Sequence, residues 1–415
     1  MSKHTAWWRL HRDLFKRCGW TVFLICIYLL GQQVYLPNVD VFSASQSLQG
    51  VPFLQMLSLT TGGQTGIPTL LSLGMQPYMT TLIIWQAVTS LDLDSMRRLS
   101  QKQIGYIQRI LSIVLGTIQA ITFVYFMGNS FLPQYIGSAN INITPAVAVL
   151  TLVAGSLFTM WLADQNTEHG LGGTVTLIIP GLLAGLPGTL QRGSNISNGT
   201  FAFTRPHIIA TVLITLGFIV IAVFLNHAEL RLPVQRPMLE NRFTESYMPL
   251  KLLMAGGMPF MFSMSLFSFP AYFINGRMML SATERTLVRW FSFQHWEGLV
   301  TYGIIIILLG FAFGYINMQP ATTARQFKEN GDYFFDVLPG ADTSKFLTKH
   351  FLLLSSWSSL FLLMIAITPL IIGFAIPGAA NFSQYLGGLL ILVTILDSIT
   401  EQARALWNKN RYQLF

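Results

Sequence analysis

The sequence predicts an all-α polytopic membrane protein with about ten transmembrane helices, and three observations carry that prediction. Of its 415 residues, 52% are hydrophobic and only 10% are charged, and the mean hydropathy is +0.53. Soluble domains are nearer one-quarter charged. A spanning helix needs about 20 apolar residues, and stretches of that kind recur along the chain. Basic loops also alternate with loops that are poor in Lys and Arg.

The predicted spans are residues 20–37, 68–89, 109–128, 145–163, 173–190, 207–225, 252–274, 299–316, 350–372 and 383–400. No A-x-A-like cleavage site follows the first apolar run, so it is interpreted as a retained span. If the N-terminus is cytoplasmic, 20 of the 25 Lys and Arg residues lie on the cytoplasmic side. The positive-inside rule therefore predicts a multi-pass protein of the cell membrane with both termini in the cytoplasm. Basic residues facing anionic lipid explain the net charge of +8, so no nucleic-acid partner is predicted.

A short apolar segment, VPFLQMLSLT at residues 51–60, is too short to cross a bilayer. The glycine-rich sequence TGGQTG at residues 61–66 follows it as a hinge. Together they predict a half-inserted segment on the external side. An amphipathic loop lying on the membrane surface is the alternative that composition leaves open.

Two distant spans share a sequence pattern of Gly, Pro, an aromatic residue and Met. Gly74–Met79 reads GMQPYM and Gly256–Met261 reads GGMPFM, each in the second span of a five-span half. Because five is odd, two such halves must have opposite orientations in the membrane. The predicted organisation is an N-terminal half at 1–190, an external hinge loop at 191–206 and a C-terminal half at 207–415. The second half contains two cytoplasmic loops, 226–251 and 317–349.

The residues give little support to enzymatic function. The sequence contains no H-E-x-x-H, P-loop or G-x-S-x-G motif, and neither a cofactor nor a metal is predicted. The span interiors hold almost no ionisable side chains, which ion-coupled transporters need at mid-membrane. The favoured interpretation is a passive conduit driven by a partner. A small-molecule transporter with inverted repeats, using Gln86 and Gln119, and an intramembrane enzyme or scaffold remain alternatives.

Six segments in order resemble the SecY family of protein-conducting channels, over nearly the whole chain. They are LLSLGMQPYMTTLIIWQ (residues 70–86), WLADQNTEHGLGGTVTLIIPGLLAGLP (161–187), AELRLPVQ (228–235), MPLKLLMAGGMPFMF (248–262), QFKENGDYFFDVLPGADTSKFL (326–347) and ILDSITEQ (395–402). The resemblance implies two inverted halves around a central pore that passes unfolded secretory polypeptides and opens sideways to lipid. It also implies a SecE-like small membrane subunit and a driving SecA-type ATPase.

The resemblance assigns residues to a plug and to a ring of apolar pore side chains. The plug falls in segment 51–66, with Phe53, Leu54, Met56, Leu57, Gly62 and Gly63. The ring carries over to Met79, Ile83, Ile178, Leu182, Met261 and, in the tenth span, where the spacing differs, Leu390 or Ile391. An unbranched thioether suits a ring that closes around peptides of variable girth. Ordinary packing between helices is the alternative for these side chains.

The resemblance places ATPase docking on the two cytoplasmic loops, with Arg231 and Arg236 in the first and Phe335 and Leu338 in the second. The family usually has Arg before Pro-Gly in the second loop, where this chain has Leu338. The first loop is also poorer in basic residues than is usual. Both departures favour an accessory SecY, which exports large serine-rich glycosylated adhesins with its own ATPase, over a divergent housekeeping channel.

Overall fold

Helices dominate the computed structural model of the protein. It describes residues 12–49, 67–90, 100–128, 130–132, 135–136, 141–192, 205–237, 246–263, 266–267, 286, 289–375 and 379–408. The chain divides into two compact units. Unit 1 comprises Met1–Gly188 with Ile395–Phe415, and unit 2 comprises Thr189–Thr394.

Unit 1 contains five complete α-helices, most of a sixth, one 3₁₀ helix and one short antiparallel strand pair. These are α1 (Arg12–Gly31), α2 (Val41–Gln49), α3 (Gln76–Ser90), α4 (Gln101–Met127), β1 (Tyr135–Ile136), β2 (Ile141–Asn142), α5 (Thr144–His169), the 3₁₀ helix (Gly173–Ile178) and α6 (Ile179–Arg192). A capping box starts α4, since Ser100 and Gln103 each accept the other's backbone N–H. Helix α4 packs against α3 and α5. In the described part of unit 1, the buried side chains of Phe123 and Met127 on α4 and of Leu152 on α5 belong to one apolar core cluster.

Unit 2 combines long helices with a small three-stranded sheet. Its elements are α7 (Arg205–His227), β3 (Glu229–Gln235), β4 (Tyr247–Lys251), a helical segment at residues 258–263, α8 (Trp296–Met318), α9 (Pro320–Asn330), β5 (Tyr333–Phe334), α10 (Ala341–Ala375) and α11 (Asn381–Asn408). Helix α11 belongs to unit 2 up to Thr394 and to unit 1 from Ile395.

The three-stranded sheet joins the two predicted cytoplasmic loops. Its order is β4-β3-β5, with both pairings antiparallel. Leu232 and Val234 alternate inward along β3, as expected for a strand with one buried face. They pack with Phe334 of β5 and Leu347 of α10 in one described apolar cluster. The sheet is therefore anchored on the end of α10.

Small residues let α8 approach α10 closely. A Cβ atom added at Gly310 would lie 2.4 Å from Ser359 Oγ, and one at Gly314 would lie 3.0 Å from Ser355 Oγ. Small residues at helix contacts are typical of membrane proteins, where van der Waals packing drives association. This seam is the principal helix pair of unit 2.

Seven helices in the described part of the chain are long and apolar enough to cross a membrane. They are α1, α4, α5, α7, α8 together with α9, α10 and α11. The prediction of an all-α polytopic membrane protein is confirmed. The other three predicted spans, 68–89, 173–190 and 252–274, contain shorter helices in the residues that the structure describes.

Each of those three spans starts with backbone that is not α-helical. Helix α3 begins at Gln76 rather than at residue 68, because Gly74 adopts a left-handed φ of 51°. Residues 173–178 form a 3₁₀ helix before α6 begins. The described helical segment of the third begins at residue 258, after Gly256 with a φ of 57°. Hydropathy could not show these breaks because their residues are as apolar as a helix interior.

Candidate functional site

The glycine–proline pattern shared by the two spans corresponds to the same local backbone in both units. Gly74 and Gly256 both have positive φ, a conformation that costs glycine little and other residues more. The N–H of each donates to a carbonyl three residues earlier, on Leu71 at 2.9 Å and Leu253 at 3.1 Å. A helix then starts two residues after each glycine.

Proline occupies the second position of each of these two helices. Pro77 follows Gln76, and Pro259 follows residue 258. Proline is tolerated there because first-turn N–H groups have no intrahelical acceptor. Met79 and Met261 therefore occupy equivalent places, one turn inside a helix that begins within an apolar segment. The sequence pattern marks a discontinuous helix in each unit.

The predicted ring residues of unit 1 lie on the discontinuous helix α3 and on the segment that leads into α6. Met79 is 8% exposed, and Ile178 and Leu182 are fully buried. Ile178 is the last residue of the 3₁₀ helix, and Leu182 lies one turn into α6. Ile83 lies on α3 one turn after Met79, but its side chain is outside the described part of the structure.

The predicted ring residues of unit 2 lie on the helical segment 258–263 and on α11. Met261 is 5% exposed. Leu390 and Ile391 of α11 are both buried. A Cβ atom at Gly257 would lie 2.8 Å from Ile391 Cα, so the turn before residue 258 packs directly on α11 at Ile391. Burial is compatible both with a closed apolar constriction and with packing between helices.

Helix α5 supports the break before α3. The hydroxyl of Thr159, which is fully buried, donates to the carbonyl of Gly74 at 2.9 Å. A Cβ atom at Gly155 would lie 2.0 Å from the carbonyl oxygen of Leu70. The segment before α3 thus lies directly on the surface of α5. The Thr159 hydroxyl and the space left by Gly155 therefore fix the segment that leads into α3, which carries Met79.

A polar cluster in unit 1 includes Tyr78, the residue before Met79 in the sequence. The Tyr78 hydroxyl donates to Asp164 Oδ1 at 3.0 Å, and Arg109 Nη2 lies 3.7 Å from Asp164 Oδ2. The cluster links α3, α4 and α5. Asp164 directly follows the predicted span 145–163 and Arg109 begins the span 109–128, so the sequence indicated only charges at span ends. The position of Tyr78 inside the repeated pattern was the one signal that could have indicated the cluster.

The predicted docking residues differ in how they are engaged. Arg231 Nε donates to Glu229 Oε1 at 2.8 Å, which raises the pKa of Arg231, and its guanidinium lies 4.7 Å from the Tyr247 ring centroid. Arg236 lies 3.7 Å from Asp332. Phe335 and Leu338, in contrast, are apolar and project into solvent, with 79% and 73% of their surfaces exposed. The second loop therefore presents two exposed apolar side chains, and each arginine of the first loop is paired with a carboxylate in the sheet or beside it.

The predicted plug segment, residues 51–66 with Phe53, Leu54, Met56, Leu57, Gly62 and Gly63, lies outside the described residues. Within the residues that the structure does describe, no group of three His, Cys, Asp or Glu side chains could hold a metal ion.

The family sequence model described as SecY matches residues 69–399. The chain belongs to the SecY family. A SecY-family relative from Streptococcus salivarius, named accessory Sec system protein translocase subunit SecY2, is 28% identical and aligns over 97% of this chain and 98% of its own length. The protein translocase subunit SecY of Lactococcus lactis subsp. cremoris is 26% identical over 97% and 95%.

A solved structure of a protein conducting channel has the same fold as this SecY-family chain. The two match with a TM-score of 0.57 at 15% sequence identity, over 97% of this chain and 95% of that one. The predicted family is confirmed, and the chain is a multi-pass membrane subunit of a protein-conducting channel.

Proposed function

We propose that this chain is the central channel subunit of an accessory-type Sec translocase, which passes unfolded secretory polypeptides across the cytoplasmic membrane. The observation that carries the proposal is family membership over residues 69–399 together with a full-length relative named as an accessory subunit. The cargo class is large serine-rich glycosylated adhesins. The Lactococcus relative, at nearly the same identity, makes a divergent housekeeping channel the competing role.

The proposed barrier is a ring of apolar side chains, formed by Met79, Ile83, Ile178, Leu182, Met261 and Ile391. An apolar constriction excludes ions by its width and by dewetting, without any charged group. In both units, the described ring residues are apolar and buried, as a closed constriction requires. The plug residues of segment 51–66 would add a second seal on the external side.

The proposed motor is a SecA-type ATPase that docks on the two cytoplasmic loops. Exposed apolar patches often mark protein interaction sites, and aromatic side chains are enriched at such interfaces. Phe335 and Leu338 supply apolar anchors of this kind on the second loop. Leu338 stands where the family usually has Arg, so apolar contact replaces a charged one and favours a dedicated ATPase. A SecE-like small subunit and membrane lipid complete the proposed assembly.

The docking proposal predicts that Phe335→Ser with Leu338→Ser weakens binding of the accessory ATPase to the reconstituted channel. Each anchor should contribute about 1 kcal/mol, so the double variant should lose about thirtyfold in affinity. The loss should vary little with salt, because no charge is removed. A binding titration against the ATPase at two ionic strengths measures it.

The matched control replaces the same residue types on the opposite side of the membrane in the proposed orientation. Phe42 and Leu132 are 78% and 59% exposed and lie in the predicted external segments. Phe42→Ser with Leu132→Ser should leave ATPase affinity unchanged. Equal affinities for both double variants and the parent would place the contact elsewhere.

The proposed orientation, with both termini in the cytoplasm, predicts the activity of two alkaline phosphatase fusions. This orientation rests on the basic residues, of which 20 of 25 lie on the cytoplasmic side. A fusion after Ser194 should be active because that loop is external, and a fusion after Glu240 should be inactive. The reverse pattern would contradict both the orientation and the assignment of the docking loops.

A further inference from the structure

The turn between α5 and the 3₁₀ helix is buried, and side chains from three helices satisfy its backbone. Gly170, Leu171 and Gly172 are all buried. Buried backbone groups need hydrogen-bond partners. The N–H of Gly170 donates to the Asn166 carbonyl at the end of α5, at 2.8 Å, whereas the N–H groups of Leu171 and Gly172 are bonded by side chains.

Two side chains of α1 and one of α11 reach the turn. The hydroxyl of Thr21 on α1 accepts the N–H of Leu171 at 2.8 Å. Gln402 Oε1 on α11 accepts the N–H of Gly172 at 2.8 Å. Arg17 Nη1 adds a longer bond to the carbonyl of Gly170, at 3.4 Å.

Helix α5 holds the turn through Asn166, which is fully buried. Asn166 Nδ2 donates to the carbonyl of Leu171 at 3.0 Å and to that of Gly173 at 2.6 Å. The side chains of Thr176 and Ile399 lie so close to the backbone at position 172 that only glycine fits there. Its φ is 77°, and a Cβ atom there would lie 2.2 Å from Thr176 Oγ1 and 2.4 Å from Ile399 Cγ1.

The 3₁₀ helix that follows is six residues long. Runs beyond three or four residues are uncommon because 3₁₀ hydrogen bonds are poorly aligned, so a longer run must be held by its surroundings. If the same six residues relaxed to α-helix, the segment would shorten by about 3 Å and its far end would turn by about 120°. Ile178 lies at that far end, and Leu182 follows one turn later.

We propose that Thr21, Asn166 and Gln402 are positioning residues that hold residues 173–178 in the 3₁₀ form and so set the height and rotation of Ile178 and Leu182. The inference rests on the proposed function, in which those two side chains belong to the apolar seal. The clamp closes entirely within unit 1, since Gln402 lies in the part of α11 that belongs to that unit.

The test weakens the clamp at its two peripheral members, because replacing the fully buried Asn166 would also lower stability. Thr21→Val with Gln402→Met keeps the size of both side chains but removes the two acceptors. Thr21→Ser with Gln402→Glu keeps both acceptors and is the matched control. Both pairs are made in the full-length chain, with the exposed Cys18 and Cys26 replaced by Ser.

The first measurement is a spin-label distance between Leu183→Cys on α6 and Ile118→Cys on α4. Both positions are exposed and so accept a label. Thr21→Val with Gln402→Met should shift this distance by about 3 Å, and the control pair should not. A reference distance between Ile118→Cys and Leu150→Cys on α5 should stay constant throughout. An unchanged Leu183–Ile118 distance would overturn the inference.

The second measurement is ion conductance in planar bilayers, recorded beside that of Leu182→Gly. The clamp variant should leak ions severalfold more than its control, and its melting temperature should fall because the N–H groups of Leu171 and Gly172 lose their acceptors. A shifted distance with no leak would overturn the link between the clamp and the seal. If Leu182→Gly is also silent, the ring assignment fails with it; if Leu182→Gly leaks, only the clamp inference fails.

Discussion

Replacing Met79 and Met261 by glycine together should make the resting channel leak ions. Both side chains occupy the same place on a discontinuous helix, one in each unit, and both are buried. In the proposed closed state, they fill the apolar constriction. Removing two thioether chains widens it, and a wider constriction fills with water and passes ions. Single-channel conductance of the double variant in planar bilayers, against the parent, measures the effect.

The same double variant should also be less stable, because buried Met→Ala changes typically cost 2–5 kcal/mol and glycine in a helix adds about 1 kcal/mol. The control must therefore match the loss of stability. Met160 on α5 and Met318 on α8 are 6% and 9% exposed and are outside the proposed ring. Met160→Gly with Met318→Gly should lower the melting temperature comparably and remain electrically silent. If both double variants destabilise and neither conducts, Met79 and Met261 are packing residues.

The sequence predicted the membrane class and most spans because long apolar helices leave a strong signal in hydropathy. Helix α7 is an example, since it is strongly apolar and only a small part of it is buried inside the protein. Such a helix needs little tertiary information to be recognised. The alternation of basic loops then predicted an orientation, which the fusions described above test.

The starts of α3 and of the 3₁₀ helix could not be predicted in the same way. Residues 68–75 are apolar, so a hydropathy window extends the span through them. The break depends on Gly74 in a left-handed conformation and on the Thr159 hydroxyl, 85 residues away, that binds its carbonyl. The 3₁₀ form of residues 173–178 similarly follows a turn bonded by Gln402, which is 230 residues from Gly172 in sequence. Contacts of that separation have no local sequence signature.

The candidate site was partly accessible from sequence because its pattern occurs twice. The repeated Gly, Pro, aromatic and Met pattern indicated Met79 and Met261, and the structure shows the same backbone at both places. The assignments of Ile178, Leu182 and Ile391 came from family resemblance alone. At the docking surface, resemblance indicated all four residues equally, but only their side-chain environments separated the paired Arg231 and Arg236 from the exposed Phe335 and Leu338.

Gly155→Ala should destabilise the protein strongly, although alanine is the better helix former. The added Cβ atom would lie 2.0 Å from the Leu70 carbonyl oxygen and 3.0 Å from its carbon, both backbone atoms that no side-chain rotation can move. Either α5 or residues 67–75 must shift. Overpacking of this kind costs about 1–3 kcal/mol and occasionally more. Thermal unfolding in detergent should show a clear fall in melting temperature.

Gly217→Ala is the matched control for that change, because Gly217 lies within membrane helix α7 and has nothing within 4 Å of its would-be Cβ atom. Because the added Cβ atom meets no other atom there, alanine should be neutral or stabilising by up to about 1 kcal/mol. The shift caused by Gly155→Ala also bears on the site, since the displaced segment carries Gly74 and leads into α3 with Met79. Ion conductance should therefore rise in Gly155→Ala and not in Gly217→Ala. Equal melting temperatures for the two variants would show that α5 does not fix the start of α3.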